Sequence, residues 1–209
     1  GREIHFAIDN KQEISVEPDI AFTASSTIKV PIVTSYLINR GSNLDATVTD
    51  IISRVLGKSD NSATDLVLER IDPSSGPLIV TQNMKQIGLN STFINGFFFL
   101  GAPQLSPRPV TPGNSRTDVF ADPDPYSQTT PAEMGSLLAD VYQCAQNSGG
   151  ALIAQAQASL PVAAAHPQAE EVGHQLLGGI DTVLVEIALP GVVEEHVVDE
   201  EVAAAIPRG

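Results

Sequence analysis

Apolar and polar positions alternate at the start of the chain. Ile4, Phe6 and Ile8 share one side, which predicts a strand over residues 3–8. Asp9-Asn10 then makes a turn, and residues 12–16 return as a second strand. After that the period changes. Ile28, Val33, Tyr36, Leu37 and Ile38 give an apolar side to a helix predicted over 26–40, which Gly41 stops. Pro31 lies inside this helix and removes one hydrogen bond, so a kink or a distorted first turn is expected. Thr47 or Thr49 is the candidate cap of a short helix ending at Gly57. Residues 61–71 form the next helix, with Ala63, Leu66, Val67 and Ile71 inward, and Pro77 opens another that runs to Gly88.

From Gly101 to Gln128 the chain is rich in Pro, Asp and Ser. It reads as a long ordered loop, and loops of this length are often functional. Thr130-Pro131-Ala132-Glu133 is a capping box with Pro at the first helical position, and its helix runs to about Gln146. Residues 151–170, rich in Ala and Gln, fit either a helix or a linker. Residues 180–189 read as a buried strand. Glu194, Glu195, Asp199, Glu200 and Glu201 make an acidic, solvated tail. No internal repeat is present, and the pattern predicts a single domain over residues 1–209.

Composition narrows the function classes. A chain of 209 residues with 42% hydrophobic positions can build a real core. Its net charge of -14 argues against nucleic acid, which needs basic patches, and against an anionic membrane surface. No apolar run is long enough for a transmembrane helix. Gly1-Arg2-Glu3 has no signal-peptide character, and the strand pattern beginning at once after it predicts an interior cut. The single cysteine, Cys144, cannot form an internal disulfide and reads as core packing on its helix. His5, His166, His174 and His196 show no ligand spacing, so neither a metal nor another cofactor is implied. Asn90-Ser91-Thr92 is a formal glycosylation sequon.

Two short boxes carry the chemistry. Ser26-Thr27-Ile28-Lys29 is an S-x-x-K box, and Ser59-Asp60-Asn61 opens an apolar helical stretch. A serine hydroxyl is a weak nucleophile at neutral pH and needs a base within reach. Positions i and i+3 of a helix share a face, so Lys29 would sit beside Ser26. The helix N-terminus and burial would both favour a neutral Lys29, able to take the Ser26 proton. Ser59 would relay a proton to a departing nitrogen. Asn61 would donate to a substrate amide and accept from Lys29. Asp60 reads as structural, turning the loop. Each box alone also fits a plain helix cap, through Ser25 or Ser26 in one case and Ser59, Asp60 or Asn61 in the other. Two boxes in order, each opening a helical pattern, favour the chemical reading.

These residues resemble the serine β-lactamase and penicillin-binding superfamily, class A-related enzymes in particular. Phe22–Pro31 is similar to the nucleophile helix, and Lys58–Leu66 to the second box with its helix. Met84–Thr92, and the two segments Asp122–Tyr126 and Thr129–Gly135, are similar to the family's next segments. The likeness covers roughly residues 3–153. It implies an α+β, β-lactamase-like fold: an antiparallel sheet flanked by helices, with an α-helical region and the serine at their junction. It further implies acyl-enzyme formation on Ser26 with β-lactams or D-Ala-D-Ala-type peptides. The oxyanion would be held by the Ser26 N–H and a strand N–H. By the same analogy the protein would act outside the cytoplasm, in the periplasm, on the cell surface or secreted.

The chain also departs from the family. Its last lysine is Lys85, so the K-T-G box that binds the substrate carboxylate has no counterpart. His174 and Gln175, with Gly178-Gly179 shortly after, are the nearest stand-in; Ala165-His166-Pro167 is a weaker one. No glutamate lies between Glu69 and Glu133, where class A enzymes take their deacylating base. Asp118, Asp122 and Asp124 are the carboxylates of the loop in that interval, and they read as turn formers. Acylation is therefore better supported than hydrolysis of the acyl-enzyme. The interval between Ser26 and Ser59 is short for the family, and residues 154–209 match it poorly. The alternative is a catalytically inactive β-lactamase-fold protein with a binding or structural role.

Overall fold

The first long helix, α1 (Lys29–Arg40), is mostly apolar, and residues 28–38 are all buried, Lys29, Thr34 and Ser35 among them. A helix buried on every side belongs inside a bundle, so α1 becomes the central rod. Pro31 and Ile32 are as buried as Val33 and Leu37, so the one-sided face predicted from the spacing is corrected to a fully enclosed helix. In the computed structural model the described residues are 17–40 and 44–145. The strands predicted at 3–8 and 12–16, the stop at Gly41 and every expectation for residues 146–209, His174 and Gln175 included, lie outside them. So does the side chain of Cys144.

Around α1 pack α2 (Ala46–Lys58), α3 (Asn61–Ile71) and α4 (Gly76–Gln86). Ile51, Ile52, Val55 and Leu56 of α2, Ala63, Val67 and Leu68 of α3, and Val80 and Met84 of α4 close the core. Leu66 and Ile71, expected inward, are only partly buried and pack on its edge. Burying an aliphatic side chain is worth about 1.5–3 kcal/mol, so this single cluster dominates the stability of the helical region. Gly76 lies so close to α3 that a Cβ there would overlap the Leu68 carbonyl oxygen. A glycine lets the two backbones approach.

Three short strands, β1 (Phe22–Thr23), β2 (Phe93–Ile94) and β3 (Ser127–Thr129), form an antiparallel sheet in the order β1-β3-β2. Phe22 pairs with Thr129, and Phe93 with Gln128. The last described helix is α5 (Pro131–Ala145), whose Leu137 and Val141 reach the core. The described region is thus α+β with a β-lactamase-like arrangement, as the sequence implied.

The helix ends show where local signals misled. Asp45, not Thr47 or Thr49, caps α2: its carboxylate accepts the Val48 N–H at 2.9 Å. α2 also runs past Gly57 to Lys58, and Ser59 supplies the left-handed cap residue with φ 52° and ψ 33°. α4 ends at Gln86, with Gly88 left-handed two residues on. The Thr130 cap forms, with Glu133 N–H donating to Thr130 Oγ1 at 3.2 Å. The Glu133 carboxylate does not close the box. It accepts from Ser91 N–H at 2.8 Å and Thr92 Oγ1 at 2.7 Å instead, tying α5 to the segment before β2.

The long loop is ordered by buried amides. Asn95 donates to Ser106 O at 2.6 Å and accepts from Ser106 N–H at 3.0 Å. Asn114 joins Pro109 O to the Gln128 side chain. Both Asn95 and Gln128 are fully buried, where an unpaired amide would be costly, so these bonds hold the loop to the sheet.

Candidate active site

Ser26 lies at the second position of a 3-10 turn, Ser25–Ile28, between β1 and α1. The distortion expected near Pro31 takes this form: the chain enters through a 3-10 turn, and Pro31 falls in the first turn of α1, where its missing N–H has no intrahelical partner to lose. Thr27 fixes the turn, donating both its N–H (3.0 Å) and its Oγ1 (2.5 Å) to Ala24 O. Ala24 N–H in turn donates to Ser127 O at 3.2 Å, which anchors the turn on β3. Ser25, just ahead of Ser26, is left-handed with φ 47°. That conformation costs a non-glycine residue about 1 kcal/mol.

Three predicted residues come together. Lys29 Nζ donates to Ser26 Oγ at 3.2 Å and to Ser59 Oγ at 2.6 Å, and Ser59 Oγ donates to Ser26 Oγ at 2.8 Å. Lys29 Nζ also donates to Ser59 O at 2.6 Å. Ser26 and Ser59 are half-buried, whereas Lys29 has 0% exposure. The left-handed backbone of Ser59 turns its carbonyl and hydroxyl toward the same amine. Burial disfavours an ammonium, and the nearby Phe98 ring, whose centroid is 5.5 Å from Nζ, favours one.

Asp60 is structural, as its position suggested. It caps α3 by accepting Ala63 N–H at 3.0 Å and binds Arg54 through Nε at 3.0 Å and Nη2 at 2.6 Å. The Ala63 N–H first, and then the Arg54 guanidinium, hold its carboxyl below the ordinary carboxylate range. Asn61 stands exposed at the first position of α3. Lys29 also reaches the Ser59 carbonyl, a partner that the sequence does not point to. Asn61 follows Ser59 by two positions in sequence.

The loop aspartates are engaged locally. Asp118 pairs with Arg116, whose guanidinium lowers its pKa. Asp122 lies 3.9 Å from Arg108. Asp124 accepts Tyr126 N–H at 2.5 Å and donates its own N–H to Thr23.

Two residues of this site were missed in the sequence. Asp65 is buried on α3 and accepts Phe98 N–H at 2.7 Å. Burial pushes its carboxyl above the ordinary range. The signal was present: Asp65 is a carboxylate set between the inward residues Ala63 and Val67. Phe98 itself sits in an aromatic run, Phe97-Phe98-Phe99, whose outer rings lie 6.0 Å apart. Among the described residues no cluster of His, Cys, Asp and Glu is arranged to hold a metal ion, and no helix is long and apolar enough to cross a membrane.

A helical bundle meeting a small antiparallel sheet, with two serines and a buried lysine at the junction, defines a β-lactamase-like protein. A family model for the β-lactamase enzyme family matches residues 35–158, more than half of the chain, and the chain belongs to that family. The matched segment includes Ser59, Asp60 and Asn61 but begins after Ser26 and Lys29. No curated protein matches the chain.

Proposed function

We propose that the protein is a serine acyl-transfer enzyme that opens β-lactams or D-Ala-D-Ala-type peptides through an acyl-enzyme on Ser26. The observation that carries this reading is the closed triangle of Ser26 Oγ, Lys29 Nζ and Ser59 Oγ. In the neutral amine two N–H groups would serve the short contacts to Ser59 O and Oγ, and the longer Ser26 contact would reverse, with the Ser26 hydroxyl donating to the Lys29 lone pair. The Ser26 proton moves to Lys29 as Oγ bonds the amide carbonyl carbon. The carbon–nitrogen bond then breaks. Ser59 gives its proton to the leaving nitrogen and takes one back from Lys29, so the amine is neutral again. Asn61, exposed at the head of α3, is the proposed donor to a substrate amide. His174 and Gln175 remain the proposed partners of a substrate carboxylate, and an extracytoplasmic setting remains the proposal from family analogy.

The test is incubation with a fluorescent penicillin while the intact mass is followed. The expected result is an adduct on Ser26 that is absent from the Ser26→Ala variant. A folded protein that gives neither adduct nor β-lactam loss refutes the enzyme reading. It would favour the inactive, binding or structural alternative, for which the missing K-T-G lysine speaks.

A further inference from the structure

We propose that Phe98 shields the Lys29 side of the site from water and so prolongs the acyl-enzyme, with Asp65 as the positioning residue that holds Phe98 there. This inference rests on the acyl-enzyme reading above and adds which half of the reaction the site favours.

Hydrolysis of an acyl-enzyme needs a water within reach of a base. The water oxygen bonds the acyl carbon, the ester bond to Ser26 Oγ breaks, and the water's proton passes through the base to Oγ. Of the groups described, Lys29 Nζ is the base at Ser26, 3.2 Å from Oγ. Nζ bonds Ser26 and Ser59, and the centroid of the Phe98 ring lies 5.5 Å from it. An aromatic ring fills space and offers water no oxygen or nitrogen partner, and a water held in a site needs two or more of these. Acylation has no such need, because the proton passes directly between Ser26, Lys29 and Ser59. The ring therefore weighs against hydrolysis and leaves acylation open.

What keeps the ring in place is a backbone pin. Phe98 N–H is bound by the Asp65 carboxylate at 2.7 Å, and Asp65 lies on α3 within two turns of Ser59. Phe99, the next residue, is 55% exposed, and Leu100 is fully exposed, so the chain leaves the core immediately after the pin.

The experiment uses the full chain and a fluorescent penicillin, with acylation rate and adduct lifetime both read by intact mass. The parent should accumulate a Ser26 adduct. Phe98→Ala and Asp65→Ala should each shorten its half-life about a hundredfold, the low end of what an admitted base–water pair contributes. Asp65→Asn keeps an acceptor oxygen and should restore the parent lifetime, a rescue that a loss of general stability would not produce. Unchanged lifetimes in Phe98→Ala and Asp65→Ala, with the adduct still forming, overturn the inference and leave the acyl-enzyme reading standing. Penicillin consumption by the parent without an accumulating adduct does the same. A folded parent with neither adduct nor turnover overturns both.

Discussion

Lys29 Nζ is bound twice by Ser59, through the carbonyl oxygen and the hydroxyl oxygen, each at 2.6 Å. This grip depends on the left-handed φ of 52° at Ser59, which an L-residue adopts at a cost of about 1–2 kcal/mol. The strain is thus located at the residue that joins the two boxes. Strained backbone commonly collects at functional sites, where surrounding contacts maintain it.

Two substitutions at Ser59 separate its backbone role from its hydroxyl role. Ser59→Gly keeps the carbonyl contact and relieves the left-handed strain, so it should be at least as stable as the parent by denaturant titration. Ser59→Ala keeps the strain and should be the less stable of the pair by about 1 kcal/mol. Both lose the relay hydroxyl. Both should therefore lower the acylation rate by about a hundredfold or more. A Ser59→Gly enzyme with parental acylation would remove Ser59 from the mechanism.

The Arg54–Asp60 pair predicts a distinct acid response. The Asp60 carboxyl is lowered below its ordinary value of 3.8 by the Ala63 N–H and by Arg54. A depressed acid contributes stability that is complete above the unfolded value and is lost as pH falls through the folded one. The stability gap between the parent and Asp60→Asn should therefore be constant near neutrality and close below pH 3.8. Melting temperatures of both proteins from pH 7 to pH 2 check this, and a gap that widened in acid would contradict it.

Asp65 should behave in the opposite sense. Burial raises its carboxyl above 3.8, so the folded state binds a proton more readily than the unfolded state. Stability then falls as pH rises from the unfolded value through the raised one. Asp65→Asn removes the buried charge and keeps an acceptor for Phe98 N–H. Its melting temperature should exceed the parent's at pH 7, with the advantage shrinking as the pH approaches 3.8. A variant less stable than the parent at pH 7 would mean that the charge itself strengthens the Phe98 bond by more than burial costs.

At the contact between α3 and α4, Gly76→Ala would drive a methyl group into the Leu68 carbonyl. Overpacking against backbone typically costs about 1–3 kcal/mol, and a loss of that size is expected by denaturant titration. Since the collision is remote in sequence from the boxes, acylation of the folded variant should persist.

Much of the helical region was legible because its signals are local. The S-x-x-K and S-D-N spacings, the apolar content of residues 28–38, the Asp60 turn and the Thr130 cap each depend on neighbours within a few positions. A caps-and-period reading therefore found every helix from α1 to α5 within a few residues. It failed at the ends where two candidates competed. Asp45 displaced Thr47 and Thr49 because a carboxylate cap satisfies the Val48 N–H. Ser59 displaced Gly57 as the stop of α2 because contacts from Arg54 and Lys29 hold the chain there.

The sequence by itself determined the reactive residue types, their order and the helices that carry them, since these depend on side-chain chemistry and short-range periodicity. Tertiary structure alone decided which groups meet. Lys29 takes up the Ser59 carbonyl, Glu133 leaves its own capping box for Ser91 and Thr92, and Asp65 pins Phe98 beside the lysine. Each of these is a long-range choice between partners of similar chemistry. A buried polar group takes whichever partner the packing of α1, α3 and the loop brings within about 3 Å, and no local pattern records that distance.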